Sequence, residues 1–85
     1  MSEAALPFGS RDAVIIDRPS RHRGLRLTAV AFAERLPRIR AYLHTPEWER
    51  ILAVGTAPSA AEAAGRAEDL LDRAVDRGVV VDPMP

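Results

Sequence analysis

The stretch RILAVGTAPSAAEAAGRAEDLLDRAVDRG, residues 50–78, holds a strand, a turn and a long helix in direct succession. Arg50-Ile51-Leu52-Ala53-Val54-Gly55 is an apolar run of strand length that ends at glycine. Ser59-Ala60-Ala61-Glu62 fits a capping box, in which the Ser59 hydroxyl accepts from the Glu62 amide and the Glu62 carboxylate reaches back to Ser59. Pro58, which has no amide hydrogen to donate, suits the entrance. Ala60, Ala63, Ala64, Ala67, Leu70, Leu71, Ala74 and Val75 then form one stripe of helical period. Gly78 is placed for the left-handed residue that ends a helix, with Glu62 early and Arg73 and Arg77 late to suit the macrodipole. Gly65 inside costs about 1 kcal/mol against alanine, so the helix needs packing to hold it. The first half of the stripe is all alanine, which predicts close approach to a flat surface such as a sheet.

Upstream runs supply that sheet. Ala13-Val14-Ile15-Ile16 is a short β-branched strand, and residues 24–30 alternate, with Leu25, Leu27 and Ala29 on one face and Arg26 and Thr28 on the other. Residues 38–44 alternate through Ile39, Ala41 and Leu43, and Val79-Val80-Val81 reads as a last strand stopped by Asp82-Pro83. Ala31–Leu36 allows one helical turn before Pro37, and Thr45-Pro46-Glu47 another turn. An all-α bundle would need residues 28–36 and 46–52 as helices, which Pro37, Pro46 and the alternation around Leu25 oppose. The expected fold is α+β: a small antiparallel sheet of four to five strands in split βαβ, ferredoxin-like order, with one long C-terminal helix on one face. The expected organisation is a tail over 1–10, a single domain over 11–82 and a tail over 83–85.

The chain has 85 residues, and a domain of that size buries only about 60–65% of its unfolded surface, so its core is thin. It has no Cys, Lys, Asn or Gln. That removes disulfides, thiolate nucleophiles, cysteine zinc sites, Schiff bases and phosphate-loop lysines. All twelve basic residues are Arg and fifteen positions are Ala, a bias that a GC-rich genome explains. No apolar run reaches the roughly 20 residues that cross a bilayer. The N-terminal residues Met1–Pro7 lack the positive start and apolar stretch of a signal peptide, so the expected location is cytoplasmic. Net charge is zero, but residues 11–40 carry +5 and residues 58–85 carry −3. Such an asymmetry suits self-association or an anionic partner, unless both ends are merely solvated.

The sharpest local feature is Arg18-Pro19-Ser20-Arg21-His22-Arg23-Gly24. Arg18, Arg21, His22 and Arg23, with Arg26 on the next strand, are candidates for binding an anion or a partner, since guanidinium suits bidentate contacts. The competing reading is a solvated hairpin loop. Trp48, flanked by Glu47 and Glu49, is the candidate interface residue, or else the edge cap of a small core. His22 and His44 read as surface or strand-end residues. No serine sits in a nucleophile setting and no His–carboxylate pair has ligand spacing, so no catalytic residue, metal or cofactor is expected. Nucleic acid binding is not expected, because no aromatic adjoins the basic loop.

Residues 50–63 resemble the end of ATP-grasp carboxylate–amine ligases, where a strand leads through a small turn into a helix that begins with Glu and Ala. Residues 24–43, with Glu34-Arg35-Leu36-Pro37-Arg38-Ile39, are similar to the C-terminal subdomain of the amino-acid ligases in that group. Arg38 stands where that family has Gly, and the segment from Gly55 to Glu62 is longer than usual. The metal-binding and ATP-binding residues of such ligases belong to segments that this chain lacks. The resemblance, over residues 24–81, therefore implies a standalone terminal subdomain: a non-catalytic accessory or protein-interaction subunit that acts with a ligase-like partner chain. A second resemblance, in the strand–Gly-Thr–helix pattern, is to HicB-type antitoxins, which neutralise a small toxin. Exposed strand edges also make self-association as a homodimer an expectation.

Overall fold

A computed structural model describes residues 8–9, 11–32 and 39–78. Four strands precede one helix: β1 (Ala13–Pro19), β2 (Arg26–Ala31), β3 (Ile39–His44), β4 (Ile51–Ala57) and α1 (Ala60–Asp76). The sheet is antiparallel in the order β1-β2-β3-β4, and α1 lies across one face. The α+β class with a C-terminal helix on a small antiparallel sheet is as the sequence implies.

The strand order departs from the split βαβ expectation. There the segment between the second and third strands crosses over and leaves room for another strand between them. Here β2 and β3 pair directly and antiparallel, Leu27 facing Leu43 and Ala29 facing Ala41, so the sheet is a simple meander. Ala31 ends β2 rather than opening a helix. Residues 33–36 of the expected turn and the fifth strand at Val79–Val81 lie outside the described residues.

Register explains why the helix is so rich in alanine. One cross-strand row on the helix side is Leu27–Leu43–Ala53, and the next is Ala29–Ala41–Gly55. The second row is made of small residues, and the helix lays Ala63, Ala64 and Ala67 into the core cluster against the sheet. Gly55 takes the closest approach: a Cβ there would press on the Ala63 carbonyl and stand 2.6 Å from the Ala67 amide nitrogen. Further along, Leu71 joins Leu25, Leu27 and Leu43 in the same cluster. Burying leucines such as Leu27 and Leu43 completely contributes roughly 1.5–3 kcal/mol each. The helix begins as the capping box predicts, with Ser59 accepting from the Glu62 amide at 3.3 Å. It ends at Arg77, followed by Gly78 at φ 85°.

The other sheet face is not left bare. Thr28, Val30, Tyr42 and His44 point there, and all four are buried. Trp48 lies over His44, and Phe8, which falls within the expected N-terminal tail, packs edge-on against Trp48 at 5.7 Å between ring centres. Two irregularities break the ladders: Ile15 on β1 and Leu52 on β4 have no registered partner, as bulged residues do.

Candidate functional site

The arginine-rich segment is the hairpin loop between β1 and β2. Ser20 N donates to Leu25 O at 2.9 Å, Leu25 N donates to His22 O at 3.1 Å, and Gly24 supplies the left-handed residue at φ 84°. The loop is folded onto α1 and meets the helix's acids. Glu68, whose side chain is only 6% exposed, accepts from Arg18 Nη2 at 3.4 Å, Ser20 Oγ at 3.1 Å and the Arg21 amide at 3.5 Å. One turn on, Asp72 pairs with Arg21, and Asp69 lies 3.8 Å from the same guanidinium. His22 Nε2 sits 2.8 Å from Asp72 Oδ1, a charge-pair distance without hydrogen-bond alignment. Arg26 pairs instead with Asp17 across the hairpin at 2.8 Å.

Four of the five loop candidates, Arg18, Arg21, His22 and Arg26, thus face carboxylates of their own chain. Arg23 alone of the five is exposed with no partner among the described residues. The charge asymmetry of the sequence closes on itself here: the basic segment docks on the acidic half of the helix. Among these contacts Glu68 matters most, because a buried carboxylate that receives three donors leaves them unmatched when it is removed. Glu68→Ala is expected to cost about 2 kcal/mol and to speed hydrogen exchange at the Arg21 amide. Asp69→Ala, at an exposed ion pair, is expected to change stability by less than about 0.5 kcal/mol. Equal losses in urea unfolding of the two variants would refute this ranking.

A second cluster sits on the helix-free face. His44, the last residue of β3 as its strand-end reading has it, is 1% exposed, which corrects its reading as a surface residue. Its Nδ1 donates to Thr45 O at 2.6 Å, which leaves Nε2 to accept from Thr28 Oγ1 at 2.7 Å. Burial is the main reason its pKa lies below the usual histidine value, with Arg26 adding to the effect and the Thr45 carbonyl and Asp17 opposing it. Trp48 stacks face-on over this ring, centroids 3.5 Å apart and planes 9° apart, and Tyr42 meets Trp48 edge-on at 5.7 Å. The Trp48 backbone is left-handed, φ 64°, which costs a non-glycine residue roughly 1–2 kcal/mol and is held by the turn. In that turn Trp48 N donates to Thr45 O, and Thr45 N to Arg50 O, each at 3.0 Å.

Trp48 is therefore half-buried and engaged with its own sheet face. A depression of about 180 Å³ lies beside it, walled by Phe8, Asp17, Arg26, Thr28, His44 and Trp48 among others. The Thr28–His44 contact has the form of a hydroxyl and its base. Both groups are almost wholly shielded, and Trp48 covers the imidazole, so the pair acts as a polar tie between β2 and β3. Among the described residues no group of three or more acidic or histidine side chains is placed to hold a metal ion.

Compared with protein-family models, curated proteins and solved structures, the chain matches none. Its own surface thus carries the functional argument. The acids that meet the loop, Glu68 and Asp72, were legible only as a charged helix face, since their partners lie 47 to 51 residues away in the chain. His44 had a local signal: it shares strand parity with Tyr42, opposite to Ala41 and Leu43, which assigns it to the second face.

Proposed function

We propose that this chain is a protein-interaction or accessory subunit, non-catalytic on its own, that acts by docking to a partner chain. One observation carries the reading. Among the described residues, the exposed large apolar side chains are Val14 and Ile15 on β1, Ile51 and Val54 on β4, and Leu70 and Val75 on α1. The first four stand on the two edge strands of the sheet, and edge strands with exposed apolar side chains are templates for pairing with another chain. The hairpin loop supports the same reading, since its charges are spent on holding the fold and only Arg23 faces outward without a partner among the described residues. The resemblance of residues 24–81 to the terminal subdomain of ATP-grasp ligases makes a ligase-like chain the expected partner.

A tagged pull-down from native extract, read by mass spectrometry, tests this. The expected result is stoichiometric recovery of a ligase-like chain, reduced at least tenfold by Val54→Asp while circular dichroism stays native. Recovery of a small basic toxin would replace the accessory-subunit reading with the HicB-type one. Recovery of this chain alone would overturn both.

A further inference from the structure

β1 and β4 are the two outer strands, and they are not equally fit to accept another strand. β1 is interrupted by the Ile15 bulge and ends at Pro19, which has no amide hydrogen to offer. β4 is regular from Ala53 to Ala57, and among the described residues no strand lies beyond it. Between β4 and α1 runs a groove of about 240 Å³, lined by Val54, Gly55, Thr56, Arg66, Asp69, Leu70 and Arg73. Leu70 gives it an exposed apolar rim on the helix side, while Val54, level with Tyr42, turns its side chain to the opposite sheet face and lends the groove its strand edge. Arg66 Nη1 donates to the Thr56 carbonyl at 2.7 Å, so a helix side chain occupies a main-chain acceptor at the edge.

From this geometry we infer that the β4–α1 groove binds an extended acidic segment of a partner protein, added to the sheet as a fifth strand. The inference rests on the interaction-subunit reading and names its surface. A strand amide takes over the Thr56 carbonyl, which releases the Arg66 guanidinium to a carboxylate of the incoming segment. Charge selects the occupant. The groove has two arginines against Asp69, and Asp69 already leans to Arg21 at 3.8 Å. A second copy paired β4 to β4 would bring like charge against like, whereas an acidic segment is complementary. Spacing agrees. Arg66 and Arg73 stand seven residues apart on the helix, roughly 10 Å along its axis. Glutamates four positions apart on a strand lie about 13 Å apart on one face, within reach of both guanidinium groups, with an apolar residue between them for Leu70.

The test uses the full chain and a fluorescein-labelled peptide that repeats glutamate, threonine, valine, threonine, with lysine replacing glutamate in the control. Fluorescence polarisation is expected to show binding of the acidic peptide only, weakened at least tenfold by Arg66→Glu with Arg73→Glu. Amide shifts in NMR spectra are expected along Val54–Ala57. Arg77→Glu, off the groove, should leave binding unchanged. Absence of binding, equal binding of the lysine peptide, or shifts confined to β1 would each overturn the inference. Should the Arg66→Glu, Arg73→Glu variant still capture the native partner in the pull-down, the interaction reading stands and the groove assignment falls.

Discussion

Gly55→Ala is expected to unfold this protein or to destabilise it by about 3 kcal/mol or more, the upper end for forcing one methyl group into a packed site. The new Cβ would press on backbone, the Ala63 carbonyl and the Ala67 amide, rather than on a side chain able to turn aside. Relief requires α1 to lift from the sheet. That separates Ala63, Ala64 and Ala67 from the Ala29–Ala41–Gly55 row, and alanine is too short to follow across a widened gap. In a domain this small, total stability is on the order of 5 kcal/mol, so the loss is most of what holds the fold. Gly65→Ala is the matched control. It lies on α1, the helix that packs on Gly55, nothing stands within 4 Å of its would-be Cβ, and the change is expected to stabilise by roughly 0.5–1 kcal/mol. Urea unfolding followed by circular dichroism separates the two, and similar midpoints would show that the close approach at Gly55 does not control packing.

That contrast also shows how much a sequence of this kind discloses. The helix was legible because its signals are local: Ser59 and Glu62 are three residues apart, and Gly78 directly follows the last turn. The alanine stripe even implied a flat, close neighbour, which the sheet row at Gly55 supplies. Strand order was not legible, because whether residues 31–38 cross over or simply return is decided by which edge β3 joins, a long-range matter. The same limit hid the loop's role. Arg18, Arg21 and His22 in sequence look like an open cationic cluster, and only the fold brings Glu68 and Asp72 beneath them. Charge that reads as an invitation to a partner is here consumed within the chain. Among the described residues, those left exposed include the apolar edge positions, Arg23 and the β4–α1 arginines.

His44→Ala is expected to cost about 3 kcal/mol, a value within the range for emptying a buried site, and to remove most of the acid sensitivity of folding above pH 5. Two losses combine. Trp48 loses the ring on which it stacks, so its left-handed backbone is no longer supported by that contact, and Thr28 Oγ1 loses its acceptor in a place without solvent. The pH effect follows from burial. In the native state the His44 pKa lies below the usual value of 6.5, so the folded protein prefers the neutral ring. Between that lowered pKa and about 6.5 the unfolded chain binds more protons than the folded one, and stability rises with pH. Stability from this group is complete above about 6.5 and is lost as pH falls through the native pKa. Glu49, whose pKa is also lowered, chiefly by the Thr45 hydroxyl, sheds its share only below its ordinary value of 4.5. Denaturation midpoints measured from pH 7.5 to 5 therefore isolate the imidazole. Wild type is expected to weaken across the acid half of that range while His44→Ala stays level, and parallel slopes would assign the acid sensitivity to groups other than His44.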